Sequence, residues 1–426
     1  MKKRIYILGG GTFTHVRAHM SLAAPAFGET AIKLKSRFDE YVQLMGKSEE
    51  YEIIQVLTKM ADRNSNIVTN EDVEELVHKI IADPQTRGVI FNIALADFSG
   101  TIGDVESDKY ATRLETVNGE TVMKMSPTKK LIGLFREKRK DIFVVGFKTT
   151  SEKSEDEQYV RGLKLLKKNS LNIVLANDLV TRTNMLIVPE EARYSVTKER
   201  DEVLNMLTKM FFARIQNKFT RSTVIDGQSI DWNGEVVPEN LREVVNHCIE
   251  EGAYKPFLGK TAGHFAVKID DNTVATSKRK TNFNELNKVG LVKIESKNKD
   301  EVIAHGAKPS VGGQSQRIIF SEHPEMECIA HFHCPIKSDA LELLAIPVAP
   351  QWQNECGSHD CGKNTSSHLK TFDLGDGDVI KVVYLDEHGP NIVFNRKTNA
   401  KKIINFIDNN FDLKKKTGGL VEEFAM

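Results

Sequence analysis

Two histidines, His331 and His333, are separated by a single residue in a mainly apolar stretch of the chain. If this stretch is a strand, side chains two residues apart point to the same face, so the two imidazoles would lie side by side. His388, at the end of a later apolar run, is the best candidate for a third ligand. Three neutral histidines with an open fourth position are typical of catalytic zinc, and we therefore predict a divalent metal, Zn²⁺, at these residues.

Motifs between Gly263 and His388 follow the order and spacing of the class II aldolase/adducin family, which this region resembles. They are Gly263-His264-Phe265-Ala266-Val267-Lys268 at the family's Gly-Asn-x-Ser-x-Arg turn, Lys308-Pro309-Ser310 at its Lys-Pro-Ser-Ser, and His323-Pro324 before the metal strand. The resemblance implies an aldolase-like α/β fold. It also implies that His331, His333 and His388 are the metal ligands, since the family uses the corresponding histidines.

The sequence departs from this family at the catalytic acid/base. Gly312 stands where the aldolases have a glutamate, so the usual proton-transferring group is missing. A metal-dependent reaction would need another such group, and we predict that it lies in the loop after the metal strand. His359 is the first candidate, because an imidazole titrates near neutral pH, and Glu355 is the second.

The phosphate-binding turn of the family is also altered, because His264 and Ala266 replace its asparagine and serine. Nearby hydroxyls and cations could still hold an anion. The predicted phosphate-binding residues are Ser277, Lys278, Arg279 and Ser310.

Length and composition indicate two domains and exclude some classes of partner. A chain of 426 residues is too long for one ordinary domain. Lys+Arg and Asp+Glu both number 59, so we expect neither nucleic acid nor a membrane surface as a partner. No apolar run approaches the roughly 20 residues of a membrane helix, and we expect a cytoplasmic protein. Five cysteines do not make a disulfide framework.

Apolar strands and amphipathic helices alternate through the first half of the chain. Strands are predicted at 4–8, 88–91, 142–147 and 172–178, and helices at 71–81, 128–138, 156–168 and 200–215. This alternation predicts a mostly parallel sheet covered on both faces, with ligand-binding groups at the carboxyl ends of the strands.

Polar or glycine residues lie at or after the ends of three of these strands, where a nucleotide would bind. They are Gly9, Gly10, Gly11 and Thr12 after the first strand, Asp97 after the second, and Asn177 and Asp178 at the end of the last. The motifs Gly9-Gly10-Gly11-Thr12, Ala94-Leu95-Ala96-Asp97-Phe98, Val145-Gly146-Phe147-Lys148 and Val174-Leu175-Ala176-Asn177-Asp178 resemble, in order, those of phosphopantothenoylcysteine synthetase. The resemblance implies a Rossmann-like fold and a bound nucleotide such as CTP.

The active-site residues of that synthetase are not all retained. Ser21 replaces the asparagine that handles its acyl-nucleotide intermediate, and Glu115 stands near the place of a phosphate-binding lysine. Lys124, Lys129 and Lys130 are candidate substitutes. We therefore expect nucleotide or phosphate binding here, but not coenzyme A synthesis.

Two polar stretches complete the predicted organisation. Residues 217–233 are polar and mixed, which predicts a linker between domains at 1–216 and 217–426. The stretch 414–419 is basic and glycine-containing with nothing apolar to hold it, so we expect it to be mobile.

These observations predict an α/β protein in which an N-terminal Rossmann-like parallel-sheet domain is fused to a C-terminal class II aldolase-like α/β domain. The predicted function is that of a metal-dependent lyase, dehydratase or epimerase acting on a phosphorylated or nucleotide-linked sugar. One alternative is a nucleotide-dependent carboxylate–amine ligase, and another is a non-catalytic binding or scaffold protein. Retention of all three histidines argues against the scaffold, because burying bare imidazoles costs desolvation. We also expect a homo-oligomer, either a dimer or a tetramer.

Overall fold

The computed structural model describes residues 1–420, with the backbone alone described for residues 311–315. The chain divides into two compact units. The first consists of residues 1–153, 162–186 and 195–209, and the second of residues 154–161, 187–194 and 210–426. Two short segments from the first half of the sequence therefore belong to the second unit, which the sequence-based boundary after residue 216 does not anticipate.

The first half of the chain forms a seven-stranded sheet with helices between its strands, in the order β11-β10-β9-β8-β5-β1-β4. The strands of this half are β1 (Lys3–Gly11), β2 (Phe13–Arg17), β3 (Met20–Ala23), β4 (Tyr51–Leu57), β5 (Thr86–Ala94), β6 (Phe98–Ile102), β7 (Met123–Pro127), β8 (Phe143–Thr150), β9 (Ile173–Asp178), β10 (Asn184–Ile187) and β11 (Arg193–Thr197). Outside the seven-stranded sheet, β2 pairs with β3 and β6 pairs with β7. The helices are α1 (Glu29–Leu44), α2 (Asn70–Ala82), α3 (Leu134–Lys138), α4 (Glu155–Asn169) and α5 (Arg200–Arg214).

Strands β4, β1, β5, β8 and β9 run parallel to one another, with β4 at the edge of the sheet. The apolar runs of β1, β5, β8 and β9 are buried nearly continuously, as expected for strands covered on both faces. The helix α2 begins at a capping box, in which Thr69 and Asp72 each accept a hydrogen bond from the other's backbone N–H. The predicted α/β fold class and parallel sheet are thus confirmed.

The helix predicted over residues 128–138 is wrong at its start, because α3 begins only at Leu134. Thr128 instead holds the chain that follows β5. Its backbone N–H donates to the carbonyl of Asp97 at 2.9 Å, and its hydroxyl donates to the carbonyl of Ala96 at 2.7 Å. These bonds keep residue 128 extended, so the helix cannot begin there.

The second half of the chain forms a ten-stranded sheet in the order β12-β16-β15-β14-β13-β17-β21-β20-β18, with β19 paired to β20. The strands are β12 (Arg221–Ile225), β13 (His264–Lys268), β14 (Thr273–Thr276), β15 (Val292–Ser296), β16 (Glu301–His305), β17 (Cys328–His331), β18 (Val348–Ala349), β19 (Lys370–Asp373), β20 (Val379–Leu385) and β21 (Gly389–Phe394). The helices are α6 (Glu239–Glu250), α7 (Leu286–Val289), α8 (Val311–Glu322), α9 (His359–His368) and α10 (Ala400–Asn410). Strand β17 pairs in antiparallel fashion with β13 on one side and with β21 on the other.

The predicted linker is partly built into this sheet. Within residues 217–233, β12 pairs with β16 in parallel register, and Trp232 is buried against Phe265 in the main core. A polar strand can lie at the edge of a sheet because only its backbone must be paired. The polar composition of residues 217–233 therefore indicated a linker, whereas part of this segment is the edge strand β12.

The basic stretch near the end of the chain is not free at Lys416 and Thr417, which are 7% and 6% exposed. The N–H of Thr417 donates to the carbonyl of His333 at 3.1 Å, and the amine of Lys416 donates to the carbonyl of Ala253. Our expectation of a mobile segment is wrong at these two residues, because polar bonds hold them in place of apolar contacts. Within residues 1–420, no helix is both long and apolar enough to cross a membrane.

Candidate functional site

The three predicted metal ligands lie together and are buried. The ring centroids of His331 and His333 are 5.0 Å apart, and each lies 4.6 Å from the centroid of His388. One nitrogen from each ring can be chosen so that all three lie within 4.8 Å of one another. The structure thus brings the three predicted side chains together, and their role as metal ligands stays a prediction.

His331 and His333 are not brought together by the predicted alternation of side chains along one strand. Strand β17 ends at His331, so His333 lies beyond the strand in the following loop. The carbonyl of His333 accepts a hydrogen bond from the N–H of Thr417 instead of from a neighbouring strand. His388 sits in the tight turn that joins β20 to β21, beside Gly389, whose φ is +138°. A side chain at position 389 would place its Cβ only 2.2 Å from the carbonyl oxygen of Phe332.

The nitrogens of His331 and His388 fit a bound divalent cation. Nδ1 of His331 lies 2.7 Å from the carbonyl oxygen of Pro390 and must donate to it, which leaves Nε2 with a free lone pair. That Nε2 lies 3.2 Å from Nε2 of His388. In a tetrahedral site with Zn–N bonds of about 2.0–2.1 Å, neighbouring nitrogens are about 3.3–3.4 Å apart. The observed separation therefore suits two ligands of one zinc ion.

The electrostatic setting keeps these rings neutral, as metal ligands must be. Burial, and then the neighbouring histidines, hold the pKa values of His331 and His388 well below their usual range. Among the described residues, Nδ1 of His388 is buried without a hydrogen-bond partner. A buried polar atom left unpaired costs free energy, so the cluster is not explained as core packing.

A fourth histidine, His264, also belongs to this cluster. It pairs with His331 across β13 and β17, and the two ring centroids are 4.7 Å apart with the rings nearly perpendicular. Burial, followed by the neighbouring His333, lowers the pKa of His264 to about 3. The sequence reading placed this residue in an altered phosphate turn. The only indication in the sequence was that His264 directly follows Gly263 at the start of an apolar segment, β13, which pairs with β17.

A buried carboxylate, Glu191, lies next to the histidines, and the sequence reading missed it. Its Oε2 is 3.7 Å from Nδ1 of His333, and the residue is 4% exposed. Glu191 comes from the 187–194 segment of the second unit, far from the histidines in sequence. No motif around it resembles a metal site, so no signal in the sequence marked it.

Glu191 is held by its backbone and by its neighbours. Its φ of +67° is unusual for a residue with a side chain. Its carbonyl accepts a hydrogen bond from the hydroxyl of buried Tyr159, and its N–H donates to the carbonyl of Val188 at 3.1 Å. The preceding residue, Glu190, forms an ion pair with Arg214 in which both side chains are fully buried.

His359 and Glu355, the predicted acid/base candidates, have other neighbours in the structure. Nε2 of His359 lies 2.7 Å from the hydroxyl of Thr220, and its Nδ1 lies 3.6 Å from the carboxylate of Asp300. Its ring lines a pocket of about 260 Å³ with Arg317. Burial lowers its pKa. Glu355 is half-buried, and its N–H donates to the side-chain oxygen of Asn217. The catalytic role of both residues stays a prediction.

The four predicted phosphate-binding residues are brought together by backbone pairing. The N–H of Ser310 donates to the carbonyl of Ser277 at 2.9 Å, and the N–H of Arg279 donates to the carbonyl of Lys308 at 3.0 Å. The side chains differ in availability. Ser277 is fully buried, and the amine of Lys278 is bonded to Ser229 and to a carbonyl. Arg279 is exposed. Anion binding at these residues stays a prediction.

The three glycines that end β1 are required by packing. A Cβ at Gly9 would lie 2.3 Å from Cβ of Ala31 in α1, and a Cβ at Gly11 would lie 2.0 Å from the carbonyl oxygen of Ala24. Gly10 has a φ of +104°. Thr12 is fully buried, and its hydroxyl donates to Asn70 at 2.6 Å. These contacts explain why glycine and threonine occur at residues 9–12 without a bound ligand. The prediction that these residues bind a nucleotide therefore depends only on their position at the carboxyl end of β1.

The remaining predicted nucleotide residues lie at the same edge of the parallel sheet, at or after the ends of β5 and β9. Asp97 is exposed and forms an ion pair with Lys130. Asn177 accepts a hydrogen bond from Thr149 at 3.3 Å. Burial alone would raise the pKa of Asp178, but hydrogen bonds from the N–H groups of Thr181, Lys153 and Val180 and from the hydroxyl of Thr150 hold it well below its usual range. Asp178 therefore stabilises the loop after β9 by accepting these hydrogen bonds.

Comparison with known proteins identifies the class of the C-terminal region first. Residues 246–393 match the family model described as the class II aldolase and adducin N-terminal domain. A solved L-fuculose 1-phosphate aldolase is 14% identical, with a TM-score of 0.29, covering 44% of this chain and 83% of that chain. The resemblance stated from the motifs is confirmed for this region.

The N-terminal half matches a second group of proteins. A stretch of 179 residues, 41% of this chain, is 24% identical to the coenzyme A biosynthesis bifunctional protein CoaBC of Methanocaldococcus jannaschii. The match covers 40% of that protein, so the chain spans less than half the length of this curated relative. The solved DNA/pantothenate metabolism flavoprotein from Streptococcus pneumoniae is 19% identical, with a TM-score of 0.41, covering 50% of this chain and 99% of that chain. The resemblance stated for this half is also confirmed.

Proposed function

We propose that the protein is a metal-dependent enzyme of the class II aldolase kind, acting as a lyase, dehydratase or epimerase on a phosphorylated or nucleotide-linked sugar. The observation that carries the proposal is the convergence of three buried imidazoles, His331, His333 and His388. The match of residues 246–393 to the aldolase family model supports it. A bound divalent cation would supply a Lewis acid that polarises a carbonyl or enediolate oxygen of the substrate.

The chain's own residues would prepare that chemistry. The Pro390 carbonyl fixes the tautomer of His331, so that Nε2 is the nitrogen presented to the ligand. Arg279 is an exposed residue whose N–H donates to the carbonyl of Lys308, and its guanidinium would bind an anionic group of the substrate.

The proposal is tested with the full chain loaded with Zn²⁺, Co²⁺ or Mn²⁺ and a panel of sugar phosphates and nucleotide sugars. Aldehyde release reports cleavage, and proton exchange with deuterated water reports abstraction next to a carbonyl. Activity that requires the metal, and that is lost when His331 and His333 are both replaced by alanine, would support the proposal. Absence of bound metal in the wild-type protein would refute it.

A second candidate is a nucleotide-dependent carboxylate–amine ligase, favoured by the match of the N-terminal half to a coenzyme A biosynthesis protein. Asp97, Asn177 and Asp178 lie near the carboxyl ends of parallel strands, where α/β proteins bind nucleotides. Pyrophosphate release from CTP, dependent on an added carboxylate and amine, would support this function. A thermal shift of the full chain with CTP but not with other nucleotides would support CTP as the nucleotide.

A further inference from the structure

The carboxylate of Glu191 is the feature that the proposed function leaves unused. It is 4% exposed and lies beside His333, yet it belongs to a segment with no aldolase motif. A buried carboxylate is expensive, so a chain retains one where it pairs with a partner that gains from it. Oε2 of Glu191 lies 3.7 Å from Nδ1 of His333, within the distance of an ion pair.

The local structure leaves Glu191 little freedom. The backbone at this position has a left-handed φ of +67°, a conformation that costs free energy for a residue with a side chain. Tyr159 bonds its carbonyl. Gly418 approaches the same carbonyl so closely that a Cβ there would lie 2.1 Å from the oxygen. Strain maintained by surrounding contacts is common at functional sites and fixes the direction of a side chain.

A buried ion pair fixes the adjacent residue. Arg214 donates from both terminal nitrogens to the carboxylate of Glu190, and its Nε donates to the carbonyl of Trp352 at 2.8 Å. Glu190 is therefore occupied by Arg214, whereas Oε2 of Glu191 lies 3.7 Å from Nδ1 of His333. The two consecutive acids thus have separate partners, an arginine and a histidine.

We propose that Glu191 is a positioning residue of the candidate metal site, accepting the Nδ1 proton of His333 so that Nε2 of the same ring is directed to the cation. This inference rests on the proposed function, since it requires a metal at the histidines. Metal-bound histidines commonly donate their other ring N–H to a carboxylate or carbonyl, which fixes the tautomer and strengthens the ligand. The carbonyl of Pro390 does this for His331 at 2.7 Å. The carboxylate of Glu191, whose Oε2 lies 3.7 Å from Nδ1 of His333, would do it for His333 after a small approach of the two side chains.

The test compares Glu191→Ala, Glu191→Gln and a control, Glu387→Gln, in the full chain. Glu387 is an exposed carboxylate one residue from His388, so its replacement removes a nearby charge without touching the proposed contact. Zn²⁺ affinity is measured by competition with a chromophoric chelator, and the visible absorption spectrum of the Co²⁺ form reports ligand geometry. Thermal midpoints of the metal-free proteins show whether each variant folds.

We expect Glu191→Ala to lower Zn²⁺ affinity about 10–100-fold and to change the Co²⁺ spectrum. Glu191→Gln should recover part of the affinity, because its amide oxygen can still accept the Nδ1 proton. The control should bind Zn²⁺ like the wild type. Unchanged affinity and spectrum in a folded Glu191→Gln variant and in Glu191→Ala would overturn the role of Glu191, whereas a wild type that binds no metal would overturn the proposed function itself.

Discussion

Nε2 of His331 and Nε2 of His388 lie 3.2 Å apart, although 57 residues separate them in the sequence. The first histidine ends β17, and the second precedes β21, which pairs directly with β17. The antiparallel register therefore brings a strand end and a turn to the same place. The cluster of imidazoles is a consequence of sheet pairing, which supplies the rigid support that a metal site requires.

Removing two of the histidines should empty the site. We expect His331→Ala combined with His333→Ala to lower bound Zn²⁺ from about one equivalent per chain to near zero, because one remaining imidazole cannot hold the ion. Elemental analysis after exhaustive dialysis measures the content. His247→Ala is the matched control, since that histidine pairs with Asp408 outside the cluster. Full occupancy in the double variant would contradict the assignment.

The sequence predicted the histidine cluster better than its surroundings. The spacing of His331, His333 and His388 within a recognisable family pattern singled out three side chains that the structure brings together. The pairing of His264 with His331 depends on sheet register, and sheet register is not visible in a single sequence. Glu191 depends on where the 187–194 segment packs, which long-range contacts decide.

The same distinction holds for the fold. Hydrophobic periodicity predicted β5, β8, β9 and helices α2, α4 and α5, since burial leaves its pattern in local sequence. It failed for β12, a largely exposed strand that is held in the sheet by backbone pairing with β16. It also failed at Lys416 and Thr417, which are held by hydrogen bonds to carbonyls of distant residues.

Breaking the buried ion pair should strongly destabilise the second unit. We expect Arg214→Ala to lower the free energy of unfolding by about 3–5 kcal/mol, because Glu190 would be left buried without its cation. Both tryptophans, Trp232 and Trp352, belong to this unit, so their fluorescence during urea unfolding reports on it. The double variant Arg214→Met with Glu190→Gln should recover much of the loss. A double variant as unstable as Arg214→Ala would contradict the assignment of the cost to an unpaired charge.

The turn beside His388 should tolerate no side chain. Gly389→Ala would place a Cβ 2.2 Å from the carbonyl oxygen of Phe332 at a φ of +138°. The backbone must then shift at both Phe332 and His388, so we expect weaker metal binding as well as lower stability. Gly375→Ala is the control, because its φ of +84° is also positive while a Cβ there meets no atom of the described residues within 4 Å. The backbone strain of alanine at a positive φ should lower the free energy of unfolding of both variants by roughly 1–3 kcal/mol. Only Gly389→Ala should also lose Zn²⁺ affinity in a chelator competition.

The pH dependence of stability should change when Asp178 is replaced. Its hydrogen bonds hold the pKa of the carboxyl well below its usual range in the folded protein, whereas in the unfolded chain it titrates near about 3.9. A carboxyl with a lowered folded-state pKa stabilises the fold above the unfolded pKa, and this contribution is lost as the pH falls towards the folded value. Asp178→Asn should therefore lower the unfolding midpoint clearly at pH 7, with a gap from the wild type that narrows below about pH 4.

Calorimetry at pH 7, 5 and 3.5 measures that gap. Asp97→Asn is the matched control, because Asp97 is exposed and its ion pair with Lys130 is solvated. We expect the control to leave the midpoint nearly unchanged at every pH. A gap for Asp178→Asn that stays constant across this range would show that the charge of Asp178 does not stabilise the loop after β9, and that its shape alone is required.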